Sequence, residues 1–276
     1  MNTRNQNLKA RMLKNPLAIA AICCLGLGTM NMAAQAQDMY DYDYDTPAER
    51  QIDRPIQDFF IGRTVQTQDA GDLQLSVGAM HQRDGDLRFS EIRTRAEYGV
   101  SDRLQLQAEL PFQINDRPGN FEAQTDVSNF QVGATYSILR GDDPISLSAG
   151  MDVAIPVGDE APMPDGRNDS RNVWKPSLMV GRDLGPTQAY GDVQAEIGEG
   201  SNAVNYNIGV VYPAGMLAPT MELNARAVEN GTPEFYATPG LYYNFSERAE
   251  LGLGVPIGLN DQSRQGQIMA KFNFQF

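Results

Sequence analysis

From Asp72 to Phe276 apolar and polar side chains alternate with a period of two rather than 3.6. Leu104, Leu106, Ala108, Leu110, Phe112 and Ile114 interleave with Gln105, Gln107, Glu109 and Gln113. Near the C-terminus Ile268, Ala270, Phe272, Phe274 and Phe276 interleave with Gln267, Met269, Lys271, Asn273 and Gln275. Successive strand side chains point to opposite faces, so each segment has one apolar and one polar face. Twelve strands are predicted, near 72–82, 87–100, 103–115, 127–140, 144–158, 172–184, 187–200, 203–213, 217–229, 233–245, 248–260 and 264–276. Most exceed the ~5–6 residues usual in soluble sheets. They suit tilted strands crossing a bilayer, which takes ~9–11 residues.

The links between these segments are sorted by length. Those after even-numbered strands are short: Ser101-Asp102, Gly141-Asp142-Asp143, Gly185-Pro186, Ala214 to Met216 and Ser246-Glu247. The two longest, Asn115 to Asp126 and Gly158 to Arg171, follow odd-numbered strands. Short turns at one end and long loops at the other are what outer-membrane barrels show. A β-sandwich also alternates, but packs apolar face on apolar face and has shorter strands. The predicted fold is therefore all-β: a transmembrane antiparallel up-and-down barrel of about twelve strands, of the Gram-negative outer-membrane type. Closure pairs every backbone group that lipid cannot satisfy.

The first forty residues have a different character. Arg4, Lys9, Arg11 and Lys14 precede an apolar run from Pro16 to Gly28 and the triplet Ala34-Gln35-Ala36. That order is a secretory signal peptide, residues 1–36, with Ala34 and Ala36 marking cleavage. Its removal takes four positive charges and both cysteines, moving the net charge from −13 to near −17. Residues 37–71 form an acidic N-terminal segment containing Tyr40-Asp41-Tyr42-Asp43-Tyr44-Asp45, read as disordered. Ile52 to Gln68 is mixed in character and open to two placements, as a plug in the lumen or in the periplasm. The barrel takes residues 72–276.

Mean hydropathy of −0.40 excludes helical membrane spans but not a barrel, whose two faces average out. The acidic balance excludes a nucleic-acid binder, and export with no retained cysteine excludes thiol chemistry. No cofactor is expected. A calcium loop beginning at Asp41 would need Gly at 46 and Glu at 52, where Thr46 and Ile52 stand. The glycine series Gly252, Gly254 and Gly258 lies in a strand, as small inward-facing residues rather than a dinucleotide loop. His81, the single histidine, is read as a rim residue with no same-face serine in its own strand; Ser90 on another strand remains open as a partner.

Alternation places Glu91, Arg93, Arg95, Glu97, Glu109, Asp152, Lys175, Asp192, Glu196, Glu222, Arg226, Glu250 and Lys271 inward. These charges either stiffen the lumen as ion pairs or line a path for a solute. Twelve strands lie between barrels filled by their own side chains and wide pores, so a narrow or plugged conduit is expected. Phe272, Phe274 and Phe276, ending an alternating aromatic strand, resemble the signal read by the barrel assembly machinery. The expected partners are thus outer-membrane lipid, that machinery and a small-molecule solute.

Several short motifs carry a family likeness. Asp53-Arg54-Pro55, Gly71-Asp72-Leu73-Gln74-Leu75, Tyr98 to Leu106 and Leu110-Pro111-Phe112 resemble the "meta-pathway of phenol degradation" family of outer-membrane transporters, as does Tyr236 to Asn260. The resemblance implies a non-enzymatic outer-membrane channel passing small solutes, hydrophobic or aromatic compounds among them. Ile56-Gln57 after Arg54-Pro55 departs from it, where the family would have an acidic residue. The readings from other classes are a structural or adhesive barrel and an outer-membrane barrel hydrolase.

Overall fold

The computed structural model describes residues 56–84, 87–116, 124–127, 129–140, 145–157, 172–198 and 202–276. The signal peptide, the Tyr-Asp tract, the 141–143 link and most of both long links lie outside them. The strands are β1 (Leu73–Asp84), β2 (Leu87–Ser101), β3 (Leu104–Asp116), β4 (Gln124–Val127), β5 (Phe130–Leu139), β6 (Ser146–Ile155) and β7 (Val173–Leu184). They continue as β8 (Thr187–Glu196), β9 (Ala203–Val211), β10 (Leu217–Val228), β11 (Glu234–Ser246), β12 (Ala249–Gly254), β13 (Ile257–Gly258) and β14 (Gln267–Gln275). Each neighbouring pair is antiparallel, and β1 pairs with β14 from Gln74↔Gln275 to Gln82↔Gln267. With β10 also pairing β11, the sheet is a closed ring of twelve strands.

Two of the predicted segments are interrupted. The one near 127–140 starts late, at Phe130, while β4 instead extends the hairpin with β3. That shortens the link expected over Asn115 to Asp126. The segment near 248–260 breaks at Val255-Pro256, because proline lacks the N–H a ladder needs. Its remainder, β13, rejoins β11 at Tyr236↔Gly258. At the short-link end Gly185 and Gly215 hold φ of 70° and 65°, which lets two-strand turns close within a few residues.

The outward face is apolar across the strands. Ile92, Leu106, Leu178, Leu223, Leu241 and Leu253 all point away from the lumen and are exposed. Around the short-link end runs a ring of exposed aromatics: Tyr98, Tyr136, Tyr212, Tyr243, Phe245 and Phe276. Register fixes their level, since Tyr98 faces Leu73, Tyr136 faces Leu104 and Tyr243 faces Leu217, all first-row residues. Trp174 stands exposed near the opposite end. An apolar band with interfacial aromatics is how a barrel meets lipid.

The packed apolar core is inside the ring. Ile56, Phe59, Phe60 and Val65, all from the segment before β1, cluster with Met179, Tyr190, Val211, Ala218 and Tyr242 of the wall. Of the two placements left open for this segment, residues 56–68 take the lumen, and Asp69, Ala70 and Gly71 lead out exposed at the short-link rim to β1.

A charge placed on the lipid face measures this assignment. Leu178→Arg, mid-strand on β7, should cost about 2–4 kcal/mol of stability in a bilayer. Denaturant-dependent folding into lipid vesicles reads it, and an unchanged midpoint would refute the outward placement.

Candidate functional site

All thirteen charged residues expected to face inward do so. Glu91, Arg93, Arg95, Glu109, Asp152 and Lys175 border the lumen cavity, as do Asp192, Glu196, Arg226 and Lys271. Glu97, Glu222 and Glu250 are buried lower down, around the inserted segment. Five of the eight acids pair with guanidinium groups: Glu91 with Arg93, Glu97 and Glu109 with Arg95, Asp152 with Arg63, and Glu196 with Arg226. The other three, Asp192, Glu222 and Glu250, accept backbone N–H groups of the inserted segment.

Glu222 does most of this. Its Oε1 accepts from the Phe60 N–H at 2.9 Å, and its Oε2 from those of Ile61 at 3.1 Å and Gly62 at 2.9 Å. Asp192 takes the Arg63 N–H at 3.0 Å and Glu250 the Gln57 N–H at 2.9 Å. An irregular segment has no ladder to satisfy its donors, and a buried N–H left unpaired costs about 1–3 kcal/mol. Wall carboxylates supply the acceptors that a neighbouring strand would.

Side chains seat the same segment from below. Phe59 lies over Gly209, where an added Cβ would come within 2.6 Å of its ring, and meets Tyr190 edge-on at 5.4 Å. Phe60 fills the space above Gly240 and Gly254 and stacks on Tyr242 at 4.7 Å. Gly252 and Gly254 are inward, as the sequence suggests, and Gly254 has a specific occupant. Tyr242, fully buried, donates its hydroxyl to the Asp58 carbonyl at 2.8 Å.

Asp58 belongs to the inserted segment rather than to a spanning strand. Its carboxylate accepts from Lys271 Nζ at 3.0 Å and Arg95 Nη1 at 3.2 Å. Burial alone would raise its pKa; the Lys271, Arg95 and Arg63 charges outweigh burial and hold it below the ordinary 3.8.

The segment fills the short-link half of the lumen and floors a cavity of about 760 Å³ in the other half. This vestibule runs from Asp58 and Phe60 up to the rim residues Asn129, Gly198 and Arg264. Seven cationic and seven acidic side chains line it, so its walls carry both signs in balance. Met80, Phe89, Tyr236 and Met269 add apolar surface. Among the described residues no cluster of three metal-ligating side chains occurs.

No family model matches this sequence, and no curated protein matches it either. Solved structures do. An outer membrane channel from Pseudomonas putida F1 is similar at a TM-score of 0.62 and 14% identity, over 77% of this chain and 98% of that one. The NanC porin is similar at 0.51 and 11%, over 73% and 98%. The fold is that of outer-membrane channel and porin barrels. The narrower phenol-pathway likeness in the motifs has no family model behind it.

His81 lies on the outward face near the long-link end, and its Nδ1 is 2.9 Å from Ser90 Oγ across the β1–β2 pair. Ser90 is thus the cross-strand partner that reading His81's own strand misses. Phe272 and Phe274 occupy the outward parity of β14 and Phe276, one residue past its end, continues it, with Phe274 and Phe276 edge to face at 4.8 Å. Sequence reasoning missed Asp58, Phe59, Phe60 and Arg63 as parts of the site. The available signal was the excess of inward acids over inward bases, eight against five in the alternation pattern, which calls for donors from elsewhere.

Glu222→Ala should release the segment, whereas Glu222→Gln keeps one acceptor oxygen and a partial hold. Trypsin cleavage after Arg63 in the folded barrel reads this: slow in the parent, fast in the alanine variant, intermediate in the glutamine variant. Equal rates in all three would show that Glu222 does not hold the segment. A carboxyl-carbon NMR titration of Asp58 should have its midpoint below 3.8. With the folded value depressed, the stabilisation from Asp58 is complete above that pH and is lost as pH falls through the lowered midpoint. A midpoint at or above 3.8 would contradict the ion-pair geometry.

Proposed function

We propose that this protein is an outer-membrane channel that passes small solutes by facilitated diffusion, without covalent chemistry, and that residues 56–68 act as its internal plug. The observation that carries the reading is the vestibule of about 760 Å³, bounded by the closed ring and lined by balanced charge. Stiffening ion pairs account for Glu196–Arg226 or Glu91–Arg93, yet a lumen needed only for stiffness has no reason to keep such a volume open. The signal-peptide pattern at residues 1–36 and the terminal Phe272, Phe274 and Phe276 support export and delivery to the assembly machinery.

Hydrophobic or aromatic cargo, implied by the family likeness, finds support in the apolar part of the vestibule. Met80, Phe89, Tyr236 and Met269 offer a ring or hydrocarbon face, with Lys175 and Arg264 nearby for a polar substituent. A lipid hydrolase would use the His81–Ser90 pair. Acyl transfer needs a group that orients the histidine, and Ser90 is the one hydrogen-bond partner of His81 among the described residues.

Planar-bilayer recording of the purified protein tests the channel reading. The full chain should give small, discrete conductance steps, and a chain lacking residues 56–70 should give larger ones. Silence from both would overturn it, leaving the adhesive or structural reading.

A further inference from the structure

The plug is held differently on its two sides. Toward β7–β12 it is seated tightly: Val65 presses on Gly181, Phe59 on Gly209 and Phe60 on Gly254, with approaches that leave no room for a single Cβ. Toward β2, β3 and β5 backbone closes on the wall only at the short-link rim, where the Gln68 and Asp69 carbonyls lie against Gly99. Above that rim the contacts run through flexible polar side chains, as hydrogen bonds and ion pairs. On that side a second void, of about 20 Å³, lies between the segment and Glu97, Gln105 and Thr135. Its volume is that of about one water position. Asp58, Arg63 and Arg95 border both this void and the vestibule, so these three side chains are what separates the two spaces.

We propose that solute leaves the vestibule through this polar seam, between the plug and the β2–β3–β5 wall, past a gate formed by the Arg63–Asp152 and Arg95–Asp58 ion pairs. This rests on the channel reading and adds a route and a solute class to it. The gate distances are 3.0 Å for Arg63 Nη1 to Asp152 Oδ2 and 3.2 Å for Arg95 Nη1 to Asp58 Oδ2. Each pair has an alternative partner within reach: Ser177 Oγ lies 3.2 Å from Arg63, and Lys271 3.0 Å from Asp58. A pair can therefore part without stranding a buried charge. Past the gate the seam is bordered by Gln57, Thr64, Gln66, Glu97, Gln105 and Thr135, with Met179 as its one apolar side chain.

That lining selects by chemistry. A hydroxylated or amide-bearing molecule exchanges hydrogen bonds with these groups as it moves. A hydrocarbon would separate them and return nothing, leaving buried polar atoms unsatisfied. While the plug is seated, the seam admits small hydrophilic molecules. A larger or apolar molecule stops in the vestibule unless the segment leaves.

The experiment uses the full chain with Cys23→Ala and Cys24→Ala, reconstituted in vesicles and planar bilayers. Thr135→Cys places a thiol in the seam, Gln66→Cys places one on the plug side of the same void, and Val211→Cys places one on the tightly packed side. Methyl methanethiosulfonate is the probe; salt conductance and glycerol-driven vesicle swelling are the readouts. Modification of the Thr135→Cys or Gln66→Cys variant should lower both by about tenfold, while the Val211→Cys variant leaves both unchanged. Arg63→Ala should raise conductance by a similar factor, and modification of a Thr135→Cys thiol in that background should block the raised current too. Current that persists when mass analysis shows the Thr135→Cys or Gln66→Cys thiol modified would overturn the seam, as would current without any modification at either site. A silent full chain beside a conducting chain without residues 56–70 overturns the seam and leaves the channel reading standing. Silence in both overturns the two together.

Discussion

Every backbone N–H and C=O within a bilayer must find its partner inside the protein. The wall meets this demand by closing on itself, and the β1–β14 ladder from Gln74↔Gln275 to Gln82↔Gln267 is the pairing that joins the two ends of the chain's barrel. The plug meets the same demand without a ladder. Its consecutive donors at Phe60, Ile61, Gly62 and Arg63 converge on Glu222 and Asp192, which stand on wall strands β10 and β8. Inward carboxylates thus extend the hydrogen-bonding rule of the sheet to an irregular segment. The glycines at 209 and 254 are then needed, because backbone that close to the wall brings Phe59 and Phe60 with it.

This explains how much of the molecule was readable from the chain alone. Period-two alternation is a direct consequence of lipid on one side and a polar lumen on the other, so strand positions and the inward parity of all thirteen charges follow from it. Where the pattern misled, a local backbone constraint intervened: Val255-Pro256 interrupts a segment that still alternates, because alternation reports side chains and not the missing N–H. The plug was legible only as one of two placements. Ile56 to Gly71 has no period of its own, since each residue answers to a different part of the wall. Gln57 meets Glu250, Phe60 meets Glu222 and Phe59 meets Lys271 across separations that local spacing cannot show.

The partition of the acids sharpens the point. Glu91, Glu97, Glu109, Asp152 and Glu196 are balanced by guanidiniums; Asp192, Glu222 and Glu250 face peptide dipoles. A guanidinium partner from the wall brings a full charge and a long side chain, which would occupy the space the plug needs; Asp152 takes its guanidinium from the plug's own Arg63. A peptide N–H brings a partial charge and almost no volume. When the segment withdraws, the three acids backed by dipoles lose their donors and Asp152 loses Arg63, which the segment itself supplies, so water must then replace fixed donors at all four. The wall is therefore built for an occupied lumen.

Asp58 binds the two halves of that design. It is the plug's own carboxylate, held by wall cations Lys271 and Arg95, so here the direction of donation reverses: wall donates, segment accepts. Opposed polarities on the two sides fix the segment's rotation within the ring. A segment held only by its N–H groups could slide along the row of wall acids and find new acceptors. Slippage would carry Asp58 away from its two cations and toward Glu222 or Glu250, replacing attraction with repulsion. Register inside the lumen is thus set by charge sign, as register within the sheet is set by which face meets lipid.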